Sequence, residues 1–417
     1  MNPSPFENLS LNPSILRAVA EEGYTQPTPI QLAAIPEVLA GRDIVATAQT
    51  GTGKTAAFAL PIMEMLQSRP AAHRGSIRTV ILTPTRELAQ QIERSFATYG
   101  RYLPLRRAVV VGGLSMTEQI KALRRGPEIL VATPGRLLDL LRQGEARLQH
   151  VEILVLDEAD RMLDMGFIQD VRSIVSAIPK ARQTMLFSAT MSQEIASLAS
   201  EMLNNPVRLA TAPPASISGN IEQRVLFVDQ GNKGSLLTHI LKGKDVGRVL
   251  VFTRTKHRAN RIAMHLSTQG IRADAIHSNK SQSARQRVLA AFDNGRLRVL
   301  VATDIVARGI DLEGISHVIN YELPNDPESY VHRIGRTARA GALGTALSFC
   351  DATDVLMLKG IEKLTQCATT AMENHPFHSA SVASMHQTPT SRPGMPSRTS
   401  GWRSFGPRGR SSRRSAS

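Results

Sequence analysis

The sequence predicts an α/β protein made of two parallel-sheet lobes in tandem, followed by a basic tail. Three observations carry that prediction. Short β-branched runs alternate with helical stretches from residue 40 onward, the alternation breaks once near residue 210 and then resumes, and the composition changes after Cys367. Nearly continuous apolar strands separated by amphipathic helices belong to a sheet covered on both faces.

In the first lobe the strand candidates are 43–48, 79–83, 107–111, 128–132, 152–156 and 184–187, with helical periodicity at 86–99, 115–125 and 191–203. Residues 205–220, NPVRLATAPPASISGN, hold Pro206, Pro213, Pro214 and Gly219 and read as the break between lobes. Alternation resumes with strand candidates at 223–228, 248–252, 272–276, 298–302, 317–320 and 345–349. The expected division is a first domain over 1–210, a linker over 211–220, a second domain over 221–366 and a disordered tail over 367–417. One echo joins the lobes: ILVATPGRLLDL at 129–140 beside VLVATDIVARGIDL at 299–312. A generic buried strand could produce it, so it is weak support for duplication.

The charge balance narrows the partners. Fifty Lys+Arg face 35 Asp+Glu over 417 residues, a net +15, and the sequence pI is near 10.4. Such a balance favours a polyanion, either nucleic acid or an anionic membrane surface. Residues 374–417 hold seven arginines and no Lys, Asp or Glu, which leaves +8 for the first 373 residues. That stretch is rich in Ser, Pro and Gly and is not expected to pack a core of its own. Its arginines interleave with Trp402 and Phe405. Composition alone fits a tether for RNA and a passive solvated tail equally well.

Other classes are disfavoured. The opening MNPSPFENLS has neither a basic nor an apolar region of the secretory kind, so no signal peptide is expected. Apolar runs are strand-length, well short of the roughly 20 residues that span a bilayer. Two cysteines, Cys350 and Cys367, exclude a disulfide framework and suit a reducing compartment. A soluble cytoplasmic protein is the expectation.

The chemistry concentrates in three places. The strand at 43–48 runs into AQTGTGKT, Ala48-Gln49-Thr50-Gly51-Thr52-Gly53-Lys54-Thr55, and then into a helix. Glycines let such a loop wrap a phosphate so that its N–H groups face the anion. Lys54 would reach the outer phosphates and Thr55 would ligate Mg²⁺. A strict match wants Gly where Ala48 stands. The strand at 152–156 ends in Asp157-Glu158-Ala159-Asp160. Adjacent carboxylates there are costly unless a cation compensates them, although alone they would read as the acidic first turn of a helix. The second lobe has no such glycine loop. It offers Arg333, Arg336 and Arg339 at three-residue spacing, which is either a solvated basic face or a set of cations for a γ-phosphate in the other lobe.

In this order the motifs resemble the DEAD-box family of ATP-dependent RNA helicases, most closely its bacterial RhlE-type branch. The resemblance covers about residues 6–365. It rests on GYTQPTPIQ ending at Gln31, AQTGTGKT, PTRELAQQ at 84–91, Gly112-Gly113, TPGR at 133–136, DEAD at 157–160 and SAT at 188–190. In the second lobe it rests on VFTRT at 251–255, SQSAR at 281–285, ATDIVARGID at 302–311 and HRIGRTARAG at 332–341.

The resemblance implies two RecA-like domains, ATP in the cleft between them and RNA across both. Gln31 would read the adenine edge, with Phe6 or Tyr24 packing near the ring. Lys54, Thr55 and the rest of the 48–55 loop would bind phosphate and Mg²⁺. Asp157 would hold the metal and Glu158 would activate water. Asp160, Ser188 and Thr190 would couple the ATP and RNA sites. Asp311 would lie near the ribose, and Arg336 and Arg339 would act as arginine fingers. RNA-backbone contacts would fall on Pro84, Thr85, Arg86, Gly113, Thr133, Arg136, Arg254, Arg285 and Thr303. Proteins of ribosome assembly or RNA decay would be partners. The chain departs from the family pattern at Ala338, where Gly is usual, and at Ser278, where HGNK is common. Two rivals remain on the residues alone, a DNA-directed motor of the same superfamily and an RNA clamp without hydrolysis.

Overall fold

Each lobe is one seven-stranded sheet with every ladder parallel. The computed structural model describes residues 6–48, 51–69, 71, 73, 75–210, 220–243, 246–304, 312, 314–338 and 342–388. The first sheet holds β1 Ile44–Thr47, β2 Thr79–Leu82, β3 Arg107–Val110, β4 Ile129–Ala132, β5 Ile153–Leu156, β6 Gln183–Ser188 and β7 Val207–Ala210. The second holds β8 Ile221–Phe227, β9 Arg248–Phe252, β10 Ala273–Ile276, β11 Val299–Ala302, β12 Ile315–Asn320, β13 Gly344–Cys350 and β14 Thr370–Ala371.

The spatial orders are β3-β4-β2-β5-β6-β1-β7 and β10-β11-β9-β12-β13-β8-β14. Numbered from its own first strand, each lobe therefore runs 3-4-2-5-6-1-7. The two halves are one topology used twice. The weak sequence echo falls on β4 and β11, the fourth strand of each half, so it marks equivalent positions rather than a chance similarity.

Central strands such as β2, β4 and β5 are buried at every residue, which is why they read as unbroken apolar runs. Helices flank them and begin at side-chain caps: Thr85 accepts from the N–H of Leu88, Ser281 from Ala284 and Asp326 from Ser329. Phe58, Phe96 and Phe187 meet in the first core, with Phe58 5.3 Å from Phe187 and 6.3 Å from Phe96. Burial of each such ring is worth about 2–3 kcal/mol.

Two expected boundaries move. Val207–Ala210 lies in the stretch read as a pattern break, yet it pairs in parallel with β1. As an edge strand it alternates half-buried and exposed residues, and that pattern hides in a proline-rich context. The fold also continues past residue 366, where the tail was expected to start. Thr370–Ala371 adds to the edge of β8, and the helix Ala380–Gln387 buries Val382 and Ala383 against the second lobe. Met372 and Phe377 join its core. These residues borrow an existing core instead of building one, so their polar composition did not prevent folding.

Candidate nucleotide and nucleic-acid sites

The nucleotide site grows from the C-terminal end of β1. Ala48 extends the ladder, donating its N–H to the Ser188 carbonyl at 3.0 Å, and its methyl is buried in the core. That placement accommodates Ala where the strict motif has Gly. Gly53 then takes φ +89° and the helix Lys54–Ser68 begins. A Cβ at Gly53 would lie 2.5 Å from Nε2 of Gln31, so glycine is required there by conformation and by space. Gln31 is buried and tied to this loop: its amide donates to the Gly53 carbonyl at 3.1 Å and accepts from Thr28 N–H at 2.9 Å. Lys54 is 7% exposed, and its ammonium donates to the Ala48 carbonyl at 2.9 Å.

The acid pair follows β5. Asp157 is 3% exposed and its Oδ1 has no hydrogen-bond partner. Burial pushes its carboxyl up to about 7, against the pull of Lys54, and the neighbouring Glu158 adds to the rise. Glu158 takes φ +54°, a left-handed conformation that is strained for a side chain of this size. Burial would raise its carboxyl too, but Arg161, Lys54 and Arg336 outweigh that and hold it below the ordinary range. Arg161 donates to Glu158 Oε2 at 2.6 Å. A buried carboxylate oxygen lacking a donor, beside a lysine and a threonine hydroxyl, is a donor set that fits a hard divalent cation.

Asp160, Ser188 and Thr190 come together as expected. Asp160 Oδ2 accepts from the N–H groups of Ala189 (3.1 Å) and Thr190 (3.0 Å) and from the Thr190 hydroxyl (3.3 Å), while its own N–H donates to Ser188 Oγ at 3.3 Å.

A second cavity, of about 400 Å³, lies where the lobes meet. Pro84, Thr85, Arg86, Thr133, Arg136 and Arg285 line it, with Ser278 beside them. Gly113 adjoins it, because a Cβ there would fall 2.1 Å from the Arg86 guanidinium. Arg254 and Thr303 are not in this lining. The Arg254 guanidinium donates to the Leu323 carbonyl at 2.8 Å and to Asp354, turned toward the helix Val355–Thr365. Phe6 is buried in the first core, and half-exposed Tyr24 packs edge-on to Tyr99. Gln49, Thr50, Asp311 and Arg339 lie outside the described residues, as does the part of the tail beyond residue 388.

Family profiles match both lobes: "DEAD/DEAH box helicase" over residues 28–198 and "Helicase conserved C-terminal domain" over 232–341. The chain is 42% identical over 361 residues to the DEAD-box ATP-dependent RNA helicase CshA of Bacillus cereus, covering 87% of this chain and 68% of that protein. The chain belongs to the DEAD-box helicase family. It is also 43% identical to the ATP-dependent RNA helicase DeaD of Mycobacterium tuberculosis, over 87% of this chain and 63% of that one. Among solved structures it resembles S. cerevisiae Dbp5 bound to RNA and ADP BeF3, with TM-score 0.81, 32% identity, and coverage of 89% of this chain and 96% of that one. It likewise resembles the DEAD-box helicase Mss116 bound to ssRNA and UDP-BeF, with TM-score 0.83, 27% identity and coverage of 92% and 81%.

Sequence reasoning about this DEAD-box chain missed several residues that the fold brings into play. Glu87 is buried where the lobes meet and accepts from Gln282 at 3.0 Å and Arg285 at 2.5 Å, so Arg285 is already paired. The solvated-face reading of the arginine row also fails for its first two members, since Arg333 and Arg336 are 1% and 3% exposed. Only the number of acids within PTRELAQQ hinted at Glu87. Nothing local announced the burial of Arg333. No described helix is long and apolar enough to cross a membrane.

Proposed function

We propose that the chain is an RNA-stimulated ATPase that locally separates short RNA duplexes and remodels RNA–protein complexes. One observation carries this: Arg336 of the second lobe helps to hold the Glu158 carboxylate of the first in its charged form. Hydrolysis then depends on the approach of the lobes, and RNA lying across both can govern that approach.

In this reading Lys54 and the 48–55 loop cradle the phosphates of ATP. Mg²⁺, held by Asp157 and Thr55, would bridge phosphate oxygens and offset developing charge. Glu158 leaves Arg161, orients a water and takes its proton as the water oxygen bonds to the γ-phosphorus and the bond to the ADP oxygen breaks. Arg336 and Arg339 stabilise charge on the transferred group. Gln31 and Asp311 select the nucleoside, with Phe6 or Tyr24 at the ring. Asp160, Ser188 and Thr190 link this site to the RNA cavity. Contacts there reach the RNA backbone, so binding has little sequence preference and weakens steeply with salt. The RhlE-type branch, a cytoplasmic location and ribosome-assembly or RNA-decay partners complete the proposal and rest on the motif pattern.

The test is ATP turnover with single-stranded RNA, with single-stranded DNA and with neither. RNA stimulation is expected; equal stimulation by DNA would favour the DNA motor, and no turnover at all would favour a clamp. Glu158→Gln should bind ATP and RNA while turning over about 100-fold more slowly or worse. Removing residues 389–417 should raise the Michaelis constant for RNA at unchanged saturated turnover if those residues tether RNA.

A further inference from the structure

The second lobe contains a buried arginine and an aspartate that none of the roles above uses. The Arg333 guanidinium grips Asp304 through two parallel bonds, Nε to Oδ1 at 2.6 Å and Nη2 to Oδ2 at 2.7 Å. Its Nη1 donates to Asn320 Oδ1 at 3.1 Å and to the Glu322 carbonyl at 2.6 Å. The ring of Phe252 lies 5.0 Å from its central carbon. With both ends of the fork fixed and an aromatic face beside it, the side chain has one geometry available.

Each end of this pair abuts a residue with a proposed task. Asp304 directly follows Thr303, at the end of β11. The Arg336 N–H donates to the Arg333 carbonyl at 3.1 Å, so the finger candidate hangs from the residue that Asp304 holds. The network also reaches the turn after β9, because the Glu322 carboxylate accepts from the Thr253 hydroxyl at 2.6 Å and from the Arg254 N–H at 2.9 Å. The first lobe joins its two sites with a single carboxylate, Asp160. The second uses a carboxylate and a guanidinium.

We infer that Asp304 and Arg333 are positioning residues that pass RNA engagement at the Thr303 turn to the placement of Arg336 against Glu158. The inference rests on the RNA-stimulated ATPase reading. A planar two-bond grip transmits rotation of one partner to the other, because neither can turn without breaking a bond. A single ammonium contact would slip.

The experiment uses the full chain with Asp304→Asn, Arg333→Lys and both together. Turnover is measured without RNA and at saturating RNA, alongside nucleotide affinity and the Michaelis constant for RNA. Folding is checked by thermal melting. Each single variant should keep its nucleotide affinity and RNA-independent rate while its stimulation by RNA falls about tenfold. The double variant should be no worse than either single, because both break one device. Parental stimulation in a folded variant overturns the inference. So does an equal fall of the rates with and without RNA, the mark of a packing role alone. Lack of RNA stimulation in the unsubstituted chain would instead sink the functional reading itself.

Discussion

Lys54 and Lys233 occupy the same place in two equivalent halves and do opposite things. Each is the first residue of the helix that follows the first strand of its lobe. Lys54 lies against a glycine-bearing loop, its ammonium on a loop carbonyl next to two acids. Lys233 is 1% exposed, and its ammonium is held by Asp351 at 2.8 Å and Asp354 at 2.6 Å. Asp351 follows β13, the sixth strand of its half, where the first lobe carries Ala189 after β6. The second lobe has thus closed an equivalent phosphate-binding corner with its own carboxylates. One fold can spend the same cation on a ligand or on itself.

The sharpest way to break this comparison is to remove each lysine. Lys54→Ala should cut ATP turnover at least about 100-fold. Lys233→Ala should instead destabilise the chain by about 3–5 kcal/mol, because two buried carboxylates lose their partner. Melting and turnover measured on both variants would expose the error if Lys233→Ala melted like the parent.

A further contrast is in pH response. Burial, the largest cause in each case, holds His277, His317 and His375 of the second lobe below the usual histidine range. Their folded forms bind fewer protons than the unfolded chain does. Their contribution to stability is therefore complete above about pH 6.5 and is lost progressively as pH falls below it. Hydrogen exchange on the full chain, corrected for intrinsic rates, should show protection of the second lobe falling between pH 7.5 and 5.5. His317→Gln should flatten that fall, and an unchanged profile would remove His317 from the account.

The smallest effect concerns the backbone. Ala338 takes φ +56°, where the family pattern has glycine. Ala338→Gly should stabilise the second lobe by about 1 kcal/mol in denaturant melts, since the left-handed region penalises a Cβ.

Central strands were legible because burial on both faces writes an apolar run into the chain, and twelve of them were anticipated within a few residues. Edge strand β7 was not, because half its residues face outward. The phosphate loop and the acid pair were visible as local motifs. Their neighbours were less so. Glu87 meets Arg285 across 198 positions, and Lys233 meets Asp354 across 121. Such pairs are made by topology, and no local pattern distinguishes them from surface charges. Arg254 shows the converse: a motif position suggested RNA, while the fold turned its guanidinium toward Asp354.

Strand β7 also has a mechanical meaning. The chain leaves the first lobe along it, and its last residue, Ala210, stands in register with Thr47, one residue before Ala48. Tension between the lobes would load the β1–β7 ladder in shear and arrive at the base of the phosphate loop. The strap that joins the lobes is stitched to the strand that holds the nucleotide.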